Sequence, residues 1–132
     1  MCSSDLFTPR YVVQFLTDNS LGQLWVEMRQ GNTRLAELDY LVKDSERLPR
    51  LAKDPRDMRL LDPACGSGHF LLYGFDLLAG DPSRGLAGIY LEAWRADEQP
   101  ASEATGQSLR HDYPTEEALL KAVPEQIGRA HV

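Results

Sequence analysis

The feature that most constrains the fold is a short apolar run that passes through a glycine turn into a helix, Leu60 to Leu72. Gly66 and Gly68 lack a Cβ, so the chain can reverse sharply there and a ligand can lie against bare backbone. Free N–H groups at the start of the following helix suit a carboxylate or another acceptor. Ligands of open α/β sheets bind beyond the carboxyl ends of strands, so the run predicts an α/β fold with a small-molecule site.

The spacing of this turn excludes two familiar nucleotide-binding motifs. A phosphate-binding P-loop requires a lysine after its last glycine, but His69 follows Gly68. A dinucleotide-binding fingerprint requires a third glycine where this sequence has Leu71. Cys65 also lies in the turn, and because no base stands beside it in the sequence, we interpret it as a packing residue and not as a nucleophile.

The segment Asp-Pro-Ala-Cys-Gly-Ser-Gly-His-Phe closely resembles motif I of the S-adenosylmethionine (SAM) dependent DNA adenine methyltransferases. In that family the glycine loop wraps the methionine half of the cofactor. The resemblance implies that Asp62 orients the methionine amino group, and that Phe70 packs either near the cofactor or in the core. The loop residues that it assigns to the floor of the site are Ala64, Cys65, Gly66 and Gly68.

A second informative stretch begins at Phe7. Thr8 suits an N-cap and Pro9 suits a first helical turn, so a helix is predicted to start here. Apolar side chains then follow at helical spacing, at Val12, Val13 and Leu16. Phe-Thr-Pro followed by Val-Val resembles motif X of the same methyltransferases, which precedes motif I in the permuted adenine class and closes over the methionine end of SAM. The resemblance therefore assigns Thr8 and Pro9 to the cofactor site.

Between the two motifs the pattern predicts further helices. The polar triplet Asp18 to Ser20 is expected to interrupt the first helix, and helical spacing resumes at Leu21 to Met28, where Trp25 should lie in the core. Another helical face is expected from Leu35 to Val42. Two prolines then mark a solvated, mildly basic linker into a strand at Met58 to Leu61.

After the glycine turn, Phe70 to Leu78 is apolar nearly all round, as expected of a helix that packs against a sheet. Gly80 to Gly85 should break this helix, and helical spacing resumes from Leu86 to Trp94. Thr115 is expected to cap a last short helix, which Pro124 should end.

The C-terminal half sharpens the resemblance. Phe-Asp-Leu-Leu, Ile-Tyr-Leu-Glu-Ala-Trp and Tyr-Pro-Thr-Glu-Glu-Ala-Leu-Leu-Lys-Ala-Val-Pro look like the PglX-like adenine methyltransferase of BREX phage-resistance systems, over nearly all of Phe7 to Glu125. The resemblance implies the N-terminal part of a Rossmann-like methyltransferase domain. Such enzymes move a methyl group from SAM to the N6 amine of a flipped-out adenine.

The ribose-binding acid and the catalytic Asn-Pro-Pro-Tyr motif of this family come later in the chain, and neither is found in this sequence. We therefore assign no catalytic residue and expect the fragment to be inactive. Two alternatives stay open. One is another Asn-Pro-Pro-Tyr methyltransferase, which acts on RNA or protein and not on DNA as an enzyme of a BREX-like or restriction-modification system does. The other is a non-catalytic helical interaction module.

The net charge of the chain argues against a protein that binds nucleic acid by itself. With 14 basic and 20 acidic residues, its net charge of −6 has the wrong sign for DNA binding. Contact with DNA, and with other defence-system proteins, is therefore expected through regions missing from this chain. No apolar run is long enough for a membrane span and no secretory signal is evident, so we expect a cytoplasmic protein. His111 lacks a second ligand, so it is expected to be solvated and no metal site is predicted.

The two ends of the sequence look foreign. Met1 to Leu6 and Ile127 to Val132 match translated short-read sequencing adapters. We therefore expect residues 1–6 and 127–132 to be non-native, residues 7–57 to form an N-terminal helical region with motif X, and residues 58–126 to form the truncated start of the methyltransferase domain.

Overall fold

The computed structural model describes residues 9–43, 50–58 and 69–130. The regular elements within these ranges are all helices, with no β-strand among them. Of the strand predicted at Met58 to Leu61, all but Met58 lies outside them. No helix among the described residues is long and apolar enough to cross a bilayer. The α-helices are α1 Arg10–Thr17, α2 Gln23–Met28, α3 His69–Ala79, α4 Ile89–Arg95, α5 Leu109–Asp112 and α6 Glu116–Ala130.

The polar triplet after α1 widens the helix instead of interrupting it, so the predicted break is wrong. Asp18–Gly22 forms a π-helical turn that joins α1 to α2 without a gap. The side chains of the triplet keep the chain helical: Asn19 Nδ2 donates to the carbonyl of Phe15 at 2.8 Å, and Ser20 Oγ donates to that of Leu16 at 2.7 Å. Such bonding to carbonyls four residues earlier satisfies acceptors that a wider turn exposes.

The helical face predicted from Leu35 to Val42 is also corrected. The chain forms only a short 3₁₀ turn there, Arg34–Glu37. Beyond it, the backbone of Tyr40 and Val42 bonds to side chains of the π-turn: Tyr40 N donates to Asp18 Oδ2 and Val42 N donates to Asn19 Oδ1. Because these N–H groups are already occupied, they are not available to a helix. Leu35, Leu38 and Leu41 are still buried, whereas Val42 is exposed.

The core forms around α3, which packs against α1, α4 and α6. Leu77 and Leu78 of α3 are fully buried, as is Ile89 of α4. Trp25 is 3% exposed, which confirms its predicted place in the core. Each fully buried leucine or isoleucine side chain contributes about 1.5 to 3 kcal/mol to folding. One face of α3 is left open, because Leu72 is 67% exposed.

The break between α3 and α4 confirms the prediction for Gly80 to Gly85. Gly80 has φ +104°, and a Cβ there would lie 2.6 Å from the carbonyl oxygen of Ala87. The chain then returns through an antiparallel bridge between Asp81 and Leu86. Because Leu86 is paired in this bridge, α4 begins at Ile89, three residues later than the pattern predicted.

The last helix runs past Pro124, where it was predicted to end. α6 extends over Glu116–Ala130, and Pro124 lies on its exposed side. Thr115 caps it as predicted, since its Oγ1 accepts a hydrogen bond from Ala118 N at 3.1 Å. Proline inside a helix costs about 3 kcal/mol. The buried face on both sides of the proline offsets this cost, through Leu119, Val123 and Ile127.

Candidate functional site

Most of the predicted cofactor residues lie outside the described part of the chain. Pro9 is described and exposed, and it immediately precedes α1. Phe70 lies in the first turn of α3. The residues outside the described ranges are Thr8, Asp62, Ala64, Cys65, Gly66 and Gly68. The structure therefore describes only the two helices that follow these residues in the chain, α1 and α3.

These two helices lie side by side and run in the same direction. Near the end of α1, Asp18 accepts a hydrogen bond from Tyr73 of α3 at 2.7 Å. One turn further along both helices, Gly22 lies against Leu77. With the two helices matched in this way, α1 begins about one turn before α3, or about 6 Å. Pro9 therefore lies at the end of the pair from which the chain enters α3.

Asp18 is the polar centre of this helix pair, and the sequence pattern did not reveal that role. Its carboxylate is fully buried. It accepts hydrogen bonds from the Tyr73 hydroxyl and, at 3.2 Å, from the backbone N–H of Tyr40. A buried carboxylate requires such donors, because an unpaired one costs several kcal/mol. The partners are separated from Asp18 by 55 and 22 residues, so no local spacing could have identified them.

A second buried polar cluster fixes the segment before the predicted strand. Arg56 is 5% exposed and Asp54 is 1% exposed. The guanidinium donates to Asp54 through Nε at 3.0 Å and through Nη2 at 2.8 Å, and to Asp112 through Nη1 at 2.6 Å. Burial alone would lower the pKa of Arg56, but hydrogen bonds to Asp54 and Asp112 raise it above its ordinary value. The predicted solvated linker is thus wrong at this point.

The loop between α4 and α5 holds the same segment from the other side. Asp57 accepts hydrogen bonds from Ser102 Oγ at 2.9 Å and from Glu103 N at 3.0 Å. The carbonyl of Gln107 accepts from Arg56 Nη2 at 3.1 Å. The residues that lead into Met58 are therefore held by groups that come more than 40 residues later in the chain.

A groove of roughly 480 Å³ lies between residues 29–37 and α4, and half of its lining residues are arginines or glutamates. Arg95 donates two hydrogen bonds to Glu116, at 2.7 and 3.0 Å, which hold the pKa of that glutamate below its ordinary value. Glu92 accepts from Trp25 Nε1 at 2.9 Å and also from the Thr33 hydroxyl. The hydrogen bond from Trp25 to Glu92 therefore joins α2 to α4, and the pair of Arg95 and Glu116 joins α4 to α6.

His111 confirms the prediction of a solvated side chain. It is 64% exposed, and its Nδ1 lies 3.4 Å from Asp112 Oδ1. Over residues 9–43, 50–58 and 69–130, no group of three or more histidine, cysteine, aspartate or glutamate side chains could hold a metal ion.

Two known proteins are similar to this chain in sequence. The chain is 30% identical over 86 residues to the adenine-specific methyltransferase BrxX of Escherichia coli O9:H4 (strain HS), an alignment that covers 58% of this chain and 7% of that protein. It is 32% identical over 90 residues to the adenine-specific methyltransferase PglX of Lacticaseibacillus casei (strain Zhang), covering 57% of this chain and 8% of that protein. Over these stretches the chain is similar to two proteins that are both named adenine-specific methyltransferases.

The similarity to BrxX and PglX confirms the resemblance that the motifs predicted. The chain spans less than a tenth of the length of these two relatives. No protein-family model matches the sequence. No solved structure matches it either.

Proposed function

We propose that this chain is part of a SAM-dependent methyltransferase that modifies the N6 amine of adenine in DNA, within a BREX-like phage-resistance or restriction-modification system. The similarity to BrxX and PglX, both named adenine-specific methyltransferases, carries the proposal. The SAM cofactor and the DNA substrate are inferred from the resemblance of the glycine turn to motif I and of the Phe7 segment to motif X.

The proposed fold is a Rossmann-like α/β domain, of which the described helices would be one layer. An α-helix next to a sheet buries its apolar stripe against the strands. α3 supports this arrangement, because its sequence is apolar nearly all round while Leu72 remains exposed. That open face is available to a further layer of the parent protein.

In the proposed site, SAM would supply the transferable methyl group. Asp62 would orient the methionine amino group, Phe70 would pack nearby, and Thr8 and Pro9 would cover the methionine end. The floor would be formed by Ala64, Cys65, Gly66 and Gly68. The parallel pairing of α1 with α3 supports this assignment, because it brings Pro9 to the end of the pair at which the chain enters α3.

The chain by itself is proposed to be inactive and to bind SAM weakly. Neither an Asn-Pro-Pro-Tyr motif nor the strand expected to hold the ribose is found in its sequence. DNA and other defence-system proteins would be bound by other regions of the parent, in keeping with the net charge of −6 on this chain.

Two measurements test the proposal. The first is methylation of adenine in DNA by the protein encoded when the gene is extended downstream, which should carry an Asn-Pro-Pro-Tyr motif and be active with labelled SAM. Transfer to RNA or protein instead would favour the alternative methyltransferase, and an extension without the motif would favour a helical interaction module. The second is calorimetry of the 132-residue chain with SAM, in which micromolar affinity would contradict an incomplete site.

A further inference from the structure

One arginine that lines the groove between residues 29–37 and α4 has no anionic partner. Arg29 directly follows α2, is partly buried, and lies with its Cζ 5.9 Å from the centroid of the Trp25 ring. Its Nε is buried and has no hydrogen-bond partner in the described part of the chain. A charge that is taken out of water normally has a partner of opposite sign, because burial removes the solvent that would stabilise it. A buried donor without an acceptor therefore calls for an explanation, such as a bound anion.

A second arginine–tryptophan pair provides a comparison within the same chain. Arg110 Cζ lies 5.2 Å from the centroid of the Trp94 ring. Its Nε and Nη2 both donate to the carbonyl of Trp94, at 3.0 and 2.6 Å, and Nη2 also donates to that of Ala96 at 3.0 Å. Contact with an aromatic face leaves the N–H groups at the edge of the guanidinium available, and Arg110 uses them on carbonyls. The ring contact of Arg29 therefore does not account for its N–H groups.

The glutamates that line the groove are engaged with other groups. Glu37 Oε2 lies 3.7 Å from Arg34 Nη1. Glu92 accepts a hydrogen bond from Trp25 Nε1 at 2.9 Å and another from the backbone N–H of Arg34 at 3.2 Å. Neither carboxylate pairs with Arg29, so the positive charge of Arg29 is available to a ligand.

We propose that Arg29 binds a carboxylate ligand in this groove. A planar guanidinium holds a carboxylate through two parallel N–H···O bonds, a geometry that an ammonium group cannot provide. The groove, of roughly 480 Å³, is as large as a small-molecule site and exceeds the size of a carboxylate, so it also has room for the rest of the ligand. Two glutamates already line it and the chain carries a net charge of −6, so a singly charged anion is repelled less than a phosphate dianion.

Such a carboxylate belongs either to a free organic acid or to an acidic side chain of a polypeptide. The assignment does not depend on the proposed methyltransferase activity, because it rests on the groove alone.

The test is a titration of the whole chain followed by NMR at the Nε–Hε group of Arg29. One probe is the tripeptide Gly-Glu-Gly with blocked ends, and its matched control is Gly-Gln-Gly, which has nearly the same shape but no charge. We expect the glutamate peptide to shift the Arg29 signal and to bind at least about tenfold more tightly than the glutamine peptide. Equal binding of the two peptides would overturn the proposal. This comparison uses the wild-type protein and does not require any variant to fold.

Acetate and inorganic phosphate identify the kind of anion. Binding of acetate as tight as that of the glutamate peptide would assign the site to free organic acids, and weaker binding of acetate would assign it to an acidic side chain. Either result supports a carboxylate site. Tighter binding of phosphate than of both carboxylates would overturn the assignment.

Two methionine variants test the residue itself, followed at the backbone amides of residues 31–34. Arg29→Met and Arg110→Met each remove one positive charge from beside a tryptophan ring. Arg29→Met should weaken binding of the glutamate peptide about tenfold, whereas Arg110→Met should leave it unchanged. Arg29→Lys retains the charge without the planar fork and should bind with intermediate affinity. An equal loss in both methionine variants would overturn the proposal, because net charge alone would then explain the binding.

Discussion

Gln30 occupies a backbone position that glycine would fill at lower cost. Its φ is +54°, and it follows the last turn of α2. Gln30 N donates to the carbonyl of Glu27 at 3.2 Å and Gly31 N donates to that of Val26 at 2.9 Å, the paired bonds of a Schellman cap. The left-handed conformation at the first of these positions is unfavourable for a residue with a Cβ.

Replacing Gln30 with glycine should therefore stabilise the protein. We expect Gln30→Gly to raise the free energy of unfolding by about 1 kcal/mol, as measured by urea denaturation. Gly31→Ala is the matched control, because its φ of +83° disfavours a side chain, and it should lower the same quantity by about 1 kcal/mol. A loss of stability in Gln30→Gly would show that the glutamine side chain contributes more than its conformation costs.

Asp112 should make folding stability depend on pH. The hydrogen bond from Arg56, with smaller contributions from Thr105 and His111, holds the pKa of Asp112 below its ordinary value against the opposing effect of burial. Because the folded pKa is the lower one, the stabilisation is complete above the unfolded value of about 4 and is lost as the pH falls through the folded value.

The substitution Asp112→Asn tests this dependence. It should cost about 1 to 3 kcal/mol at pH 7, because a buried guanidinium loses a charged partner. Urea midpoints measured from pH 7 down to pH 3 should fall less steeply for the variant than for the wild type. Asp97→Asn, at an exposed position, is the control and should follow the wild-type curve. Equal slopes for all three proteins would rule out Asp112 as the source.

At the scale of the elements, α6 carries an internal proline whose missing N–H leaves one carbonyl without its helical donor. Pro124→Ala should restore that bond and stabilise the protein by about 1 to 3 kcal/mol, since the side chain is exposed and no packing is lost. Thermal unfolding followed by circular dichroism measures the gain. Glu125→Ala, one residue later and also exposed, should change the stability by less than about 0.5 kcal/mol. A destabilised Pro124→Ala would mean that the proline ring packs favourably.

The features that were predicted correctly from the sequence are those that depend on residues close together in the chain. The glycine break after α3, the Thr115 cap and the burial of Trp25 each depend on residues within a few positions of one another. The π-turn and the 3₁₀ turn were missed because tertiary hydrogen bonds to Tyr40 and Val42 override helix propensity.

The candidate site was predictable only as a set of motifs. The contacts that organise its surroundings join Asp18 to Tyr73 and Arg56 to Asp112, over 55 and 56 residues. Neither pair leaves a signal in residue spacing. The buried Arg56 was mistaken for part of a solvated linker, because charge in the sequence does not show where a partner lies.

At the scale of the whole molecule, the two sides of α6 contribute unequally to stability. Ile127 is 6% exposed and belongs to the common core, whereas Leu120 on the same helix is 48% exposed. Ile127→Ala should therefore lower the free energy of unfolding by about 2 to 4 kcal/mol, and Leu120→Ala by less than about 1 kcal/mol. Urea denaturation of both variants measures the difference.

Equal effects of the two substitutions would contradict the packing of the last turns of α6.

The cluster around Arg56 affects the order in which the chain folds during synthesis. Arg56 leaves the ribosome well before Asp112, which lies 56 residues downstream and is one of the carboxylates that pair with its buried charge. Domains fold as their segments emerge, N-terminal parts first. A nascent chain that has not yet reached α5 can pair Arg56 with Asp54 but not with Asp112. The approach to the glycine turn is therefore completed late, and translational pausing before α5 would prolong the interval in which this part of the protein is open to chaperones and proteases.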